Sequence, residues 1–223
     1  MGDSQSGRAW TDDPETFADS LEDLKEDGCM LLVLGAADDD GDRVGCDRML
    51  GDAARDRRRL FVRSDAATTP SAGEGTSDAD SQTVVYETSA RAVAAASAAV
   101  SEDDRTVSGG MDSLADATEE EISALEPAGG FESGQLRVCV DGVDDLLADT
   151  DLASVGGFVR RVREAVSDAD AIGHVHVDDT IPGHAVEGVL QEFDAVVEVA
   201  DAGERRQRWH LPDEALSTAW LEL

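Results

Sequence analysis

The sequence predicts an α/β fold: a mostly parallel central sheet with helices on both faces and a C-terminal antiparallel hairpin. Three observations carry the prediction. Cys29–Leu34 is a continuous apolar run, and Leu136–Val140 is apolar but for Arg137, the mark of strands covered on both sides. Strand-like runs alternate with helix-like segments, which is the pattern of parallel crossovers. Arg205–Leu211 alternates along its length after a turn at Gly203, as a hairpin strand does.

Residues 1–11 read as a flexible lead. Asp13-Pro14-Glu15 opens a short helix through Leu24, with Phe17, Leu21 and Leu24 on one face. The first strand, Cys29–Leu34, ends at Gly35, and Ala36–Gly41 follows as an acidic loop. Arg43–Arg57 reads as a helix with Val44, Met49, Leu50 and Ala53 inward, and Leu60–Arg63 as a second strand. Residues 64–81 are rich in Ser, Ala, Thr, Asp and Gly and read as a low-complexity loop. Thr83–Tyr86 is a strand and Ala90–Val100 an alanine-rich helix. Residues 101–133 are ambiguous apart from a helix over Leu114–Leu125. Then come the strand Leu136–Asp141, a helix Val155–Val166, a strand Ala171–Val177, a helix from Pro182 to Leu190 and a strand Phe193–Val199. The expected organisation is a lead and short helix over 1–27 and one domain over 28–223.

Charge bounds the function. Asp and Glu number 50 against 18 Lys and Arg, for a net charge of -32. Lys25 is the single lysine. Such a surface repels itself in dilute buffer. The repulsion fades as the Debye length drops from about 8 Å at physiological salt to about 3 Å near 1 M. The expectation is a halophilic protein of the cytoplasm, with potassium and water held at its carboxylates. A disordered acidic chain is the alternative, but the residues are 41% hydrophobic and cluster in runs. Only 4% are aromatic, so the core must be Val, Leu, Ala and Ile. The acidity argues against nucleic acid as a partner, and no apolar run is long enough to span a membrane. Cys29, Cys46 and Cys139 have no metal-ligand spacing, and Cys29 and Cys139 read as buried small hydrophobes.

Gly35 and the loop after it stand where a phosphate-binding loop would. A working loop reads Gly-x-x-x-x-Gly-Lys-Ser/Thr. Here five residues separate Gly35 from Gly41, and Asp42 and Arg43 replace the Lys and hydroxyl. Asp38, Asp39 and Asp40 oppose a triphosphate. If nucleotide is bound, Gly35, Gly41, Arg43 and Asp141 are the candidate residues. Asp141 ends an apolar strand, as a magnesium-binding aspartate does, although Asp141-Gly142 also reads as a plain turn. His174 and His176 share one strand face, with Asp178, Asp179 and His184 behind. They read either as hydrogen-bonded sheet residues or, with an acid, as metal ligands; no metal is assigned. Arg160, Arg161 and Arg163, and Arg205, Arg206 and Arg208, form basic islands. These either pair within the chain or dock an acidic partner or a second copy. Trp209 and Trp220 read as core plugs or interface anchors.

Over residues 28–220 this pattern resembles the RecA/KaiC-like ATPases of the P-loop superfamily. The resemblance rests on the Cys29–Gly35 strand at the loop position and Leu136–Asp141 at the Walker-B position. The strands His174–Val177 and Phe193–Val199 and the hairpin through Trp209 complete it. The chain is also similar to haloarchaeal proteins of the HTR-like type. The resemblance implies a RecA-like three-layer fold. Active members bind ATP and magnesium between subunits; without Walker A, this chain resembles a degenerate relative. The implied function is a non-catalytic regulatory or protein-interaction module, signalling-related, with no cofactor, a protein partner and a possible homo-oligomer. The alternative is an atypical nucleotide-binding protein or ATPase that uses Asp141 for magnesium, with ATP as cofactor.

Overall fold

The structure, a computed structural model, describes residues 14–35, 49–52, 55–64, 80–87, 104–178, 188–201 and 205–222. The expected α/β fold is the one found. In chain order the elements are α1 (Pro14–Glu26), β1 (Cys29–Gly35), β2 (Arg58–Ser64), β3 (Ser81–Tyr86), β4 (Arg105–Val107) and α2 (Met111–Leu125). They continue with β5 (Leu136–Asp141), α3 (Val143–Asp149), α4 (Leu152–Asp168), β6 (Ile172–Asp178) and a 3-10 turn at Leu190–Glu192. The chain closes with β7 (Ala195–Asp201), β8 (Arg205–Leu211), β9 (Leu216–Ser217) and β10 (Leu221–Glu222).

One sheet holds the strands in the order β10-β8-β7-β1-β6-β5-β2-β3-β4, with β9 also on β8. All pairings from β7 through β4 are parallel, whereas β8 is antiparallel to β7, β9 and β10. Successive side chains of a strand point to opposite faces, and the core divides accordingly. On one face Met30, Leu32, Leu60, Val62, Val138, Val140 and Val175 pack against the apolar stripes of α2, α3 and α4. On the other, Leu31, Val33, Ile172, Val197 and Trp209 meet Phe17, Leu21 and Leu24 of α1. Phe17 and Trp209 make an edge-to-face ring contact at 6.1 Å. The N-terminal helix is thus part of the core.

Local chemistry sets the element ends. Asp151 caps α4, accepting from the Ser154 N–H at 3.0 Å and from its hydroxyl at 2.8 Å, which satisfies a donor that a helix start otherwise leaves unpaired. These contacts hold the Asp151 carboxyl below its ordinary range. Gly28 enters β1 with φ +78, a conformation that a side chain resists.

Several boundaries differ from the sequence reading. Arg55–Arg57 are not helical, and β2 starts at Arg58, whose N–H donates to the Gln135 carbonyl at 3.0 Å. The pairing of β2 with β5 overrides the helical pattern. β4 and α3 are additions. Leu190–Glu192 is a 3-10 turn closed by the Phe193 N–H on Leu190 O, so β7 begins at Ala195 and not at Phe193. The expected helix Ala90–Val100, residues 65–79 of the low-complexity loop and most of the Pro182 helix lie outside the described residues.

Candidate functional site

The carboxyl ends of the parallel strands form the rim where open α/β sheets take ligands. Gly35 of β1 lies opposite Asp178 of β6, and Asp141 ends β5 opposite Arg63 of β2. The chain after β1 reappears as Met49 and Leu50 on the α1 face, and the chain after β6 reappears with Val189, Leu190 and Phe193 on the α2–α4 face. The chain thus next appears on opposite faces after these two neighbouring strands, which makes the carboxyl ends of β1 and β6 the topological switch point.

This rim is acidic. The Gly142 N–H donates to Asp141 Oδ1 at 2.8 Å, in a turn where Gly142 has φ 75. The Ser64 hydroxyl donates to Asp145 Oδ2 at 2.5 Å. Arg63 is the cation nearest in register, and it is buried and ion-paired with Asp104 at 3.2 Å. A Cβ on Gly35 would make only ordinary contact, 3.5 Å from Val199 Cβ, so no tight backbone approach demands glycine there. Gly41 and Arg43, the other two candidate nucleotide residues, lie outside the described residues, as do His184, Asp38, Asp39 and Asp40. The carboxylate of Asp141 suits a hard cation such as magnesium. Among the described residues no lysine reaches the rim. Lys25 sits at the end of α1, just before Cys29 and thus at the amino end of β1. Six residue steps of about 3.3 Å separate Cys29 from Gly35, which is several times the reach of a side chain.

A second constellation lies on the α1 face of β5 and β6. Cys139 pairs across the parallel ladder with His174, and His176 follows two residues on, on the same face. All three are buried: Cys139 at 1%, His174 at 0% and His176 at 7% exposure. The two imidazoles meet edge to face at 5.0 Å. The nearest potential ligand atoms of the three residues lie within 4.8 Å of one another. The sequence paired these histidines with Asp178; the fold brings Cys139 to them. Period-two spacing made the histidine pair visible, but the cysteine depends on the β5–β6 register, which no local pattern encodes.

The same sheet face carries arginines that sequence reasoning missed. Arg59 and Arg63 are buried. Burial, then the neighbouring Arg57, pushes the Arg137 guanidinium down to about 10. Arg57 donates to the Gly134 carbonyl and Arg58 pairs with Asp80. Around Arg137 the α1 face opens a cavity of about 230 Å³, lined by Leu24, Lys25, Cys29, Met49, Arg137 and Trp209. The helix island pairs within the chain: Arg160 with Glu192, Arg161 with Asp116 and Glu119, and Arg163 with Asp194. On the hairpin Arg208 pairs with Glu198, and Arg206 and Arg208 lie over the Trp220 ring at 5.8 and 5.0 Å. Trp209 is a core residue, whereas Trp220 and Leu221 stand exposed at the outer strand β10. Among the described residues, no helix is long and apolar enough to cross a membrane.

The sequence model of one family matches residues 28–199, from the lead-in of β1 to the middle of β7. The chain belongs to DUF7504, a family of unknown function. No curated protein matches this DUF7504 chain. Its fold is similar to that of PH0250 from Pyrococcus horikoshii OT3, with a TM-score of 0.53 at 11% identity, covering 90% of this chain and 96% of that one. A weaker likeness joins it to the KaiC-like protein PH0186 of the same organism, with a TM-score of 0.45 at 9% identity over 83% and 79% of the two chains. At such identities the likeness concerns the fold alone. The α/β arrangement expected from the sequence, a mostly parallel sheet with helices on both faces and a C-terminal antiparallel hairpin, is the fold of this DUF7504 member.

Proposed function

We propose that this chain is a RecA-like module that has lost ordinary nucleotide hydrolysis and acts as a regulatory, protein-binding component of a salt-rich cytoplasm. The observation that carries the reading is the placement of Lys25. The only lysine in the sequence stands at the amino end of β1, opposite the rim where a phosphate chain would lie. Asp141 ends β5 at that rim, and the loop sequence adds Asp38, Asp39, Asp40 and Asp42. At an effective dielectric near 20, each close like-charge contact opposes a phosphate by an order of 1 kcal/mol or more. The exposed Leu221 of β10 and Trp220 just before it favour an interaction role, since large apolar side chains at a sheet edge invite a partner.

The test is calorimetric titration of ATP with magnesium in molar KCl, on wild type and Asp141→Ala. The reading expects no binding heat from either. Binding that Asp141→Ala abolishes would overturn it and put in its place an atypical nucleotide-binding protein with Asp141 on magnesium.

A further inference from the structure

We propose that Cys139, His174 and His176 form a binding site for a borderline-soft transition-metal ion of the zinc class. The site is built into the middle of the sheet. β6 lies between β1 and β5, so parallel ladders on both sides fix its backbone. Alternation puts His174 and His176 on one face, and register sets Cys139 against His174. Phe61 of β2 pairs with Cys139 on the other side of β5, so the three donors sit on one buried face of the sheet.

The donor set selects the ion. A thiolate and two imidazoles suit zinc and its neighbours, whereas magnesium, calcium and potassium take oxygen. The hard cations of a salt-rich medium therefore belong to the carboxylates of the surface and do not compete here. Metal–sulfur and metal–nitrogen bonds of about 2.3 and 2.0 Å place tetrahedral donors roughly 3.5 Å apart. Donor atoms already within 4.8 Å of one another reach that spacing by modest side-chain rotation. Binding releases the thiol proton to solvent, so affinity rises with pH. Three protein donors leave one coordination position for water or a small ligand. This inference does not depend on the proposed function.

Cobalt(II) is the probe, titrated into chelator-treated full-length protein in molar KCl. The expected result is one ion per chain, with a thiolate-to-metal charge-transfer absorption that zinc displaces. Cys139→Ala should abolish the absorption with unchanged far-ultraviolet circular dichroism. His176→Gln should weaken binding roughly tenfold or more, and it carries the same test should the cysteine variant unfold. Folded wild type that takes up no cobalt would overturn the proposal, as would an absorption that survives both substitutions.

Discussion

Arg163 and Asp194 tie helix α4 to the central strand β1. The Arg163 guanidinium donates to Asp194 Oδ1 at 2.8 Å, while Asp194 Oδ2 accepts the Met30 N–H at 2.8 Å. The Asp194 N–H returns a bond to Met30 O at 2.9 Å. One carboxylate therefore serves a helix, the start of β1 and the entry to β7. The hydrogen bond to this carboxylate, helped by its charge, holds the Arg163 guanidinium above its ordinary range.

The two halves of this link should carry unequal weight. The Arg163 side chain is 41% exposed, and ion pairs that face solvent contribute at most about 1 kcal/mol, less in high salt. Met30 is 0% exposed, and a buried N–H stripped of its acceptor costs about 1–3 kcal/mol. Urea denaturation should show Asp194→Ala losing about 1–3 kcal/mol and Arg163→Ala under about 1 kcal/mol. Asp194→Asn, which keeps an acceptor oxygen, should fall between them. Equal losses for Arg163→Ala and Asp194→Ala would assign the energy to the ion pair instead.

Gly28 is the sharpest backbone constraint on β1. It combines φ +78 with a Cβ position 2.9 Å from the Ala171 carbonyl oxygen. That oxygen accepts the Cys29 N–H at 2.9 Å, so it cannot yield without loosening the start of the strand. Gly28→Ala should cost about 1–3 kcal/mol from the backbone conformation alone, with further loss from the crowding. Gly129→Ala is the control, because a Cβ there meets nothing within 4 Å. It should leave the urea midpoint nearly unchanged. Equal midpoints for the two variants would mean that the entry to β1 adapts freely.

What the sequence displayed and what it concealed follow from the range of the interactions. The parallel strands were legible because burial on both faces leaves uninterrupted apolar runs such as Met30–Val33. β4 was not, since three residues with Val107 as their single buried member are a strand only through pairing with β3. The seven-residue α3 is too short to stand by composition alone; it exists because Val143 and Leu146 reach the core. The basic islands were visible as sequence, but their carboxylate partners come from α2, the 3-10 turn and β7. The histidine pair was visible by spacing, and Cys139 joined it only through register. Lys25 is the single lysine of the sequence, yet its distance from the rim depends on the direction of β1, which composition does not carry.

Cys29 offers a test of burial through pH. Desolvation, aided by the nearby Asp194 charge, pushes its thiol from an ordinary 9.0 up to about 12. The folded state thus favours the neutral thiol, whereas the unfolded chain can ionise it. Stability from this group is complete below pH 9, and it is lost as the pH rises from about 9 toward about 12. By pH 10 the loss should be about 1 kcal/mol relative to neutral pH. Cys29→Val keeps an apolar side chain at this buried position and removes the titration. Urea denaturation at neutral pH and near pH 10 should therefore show wild type losing more than Cys29→Val by that amount. Tyr86, also raised by burial, titrates equally in both proteins and cancels in the comparison. Parallel losses in the two proteins would mean that Cys29 is reached by water in the folded state.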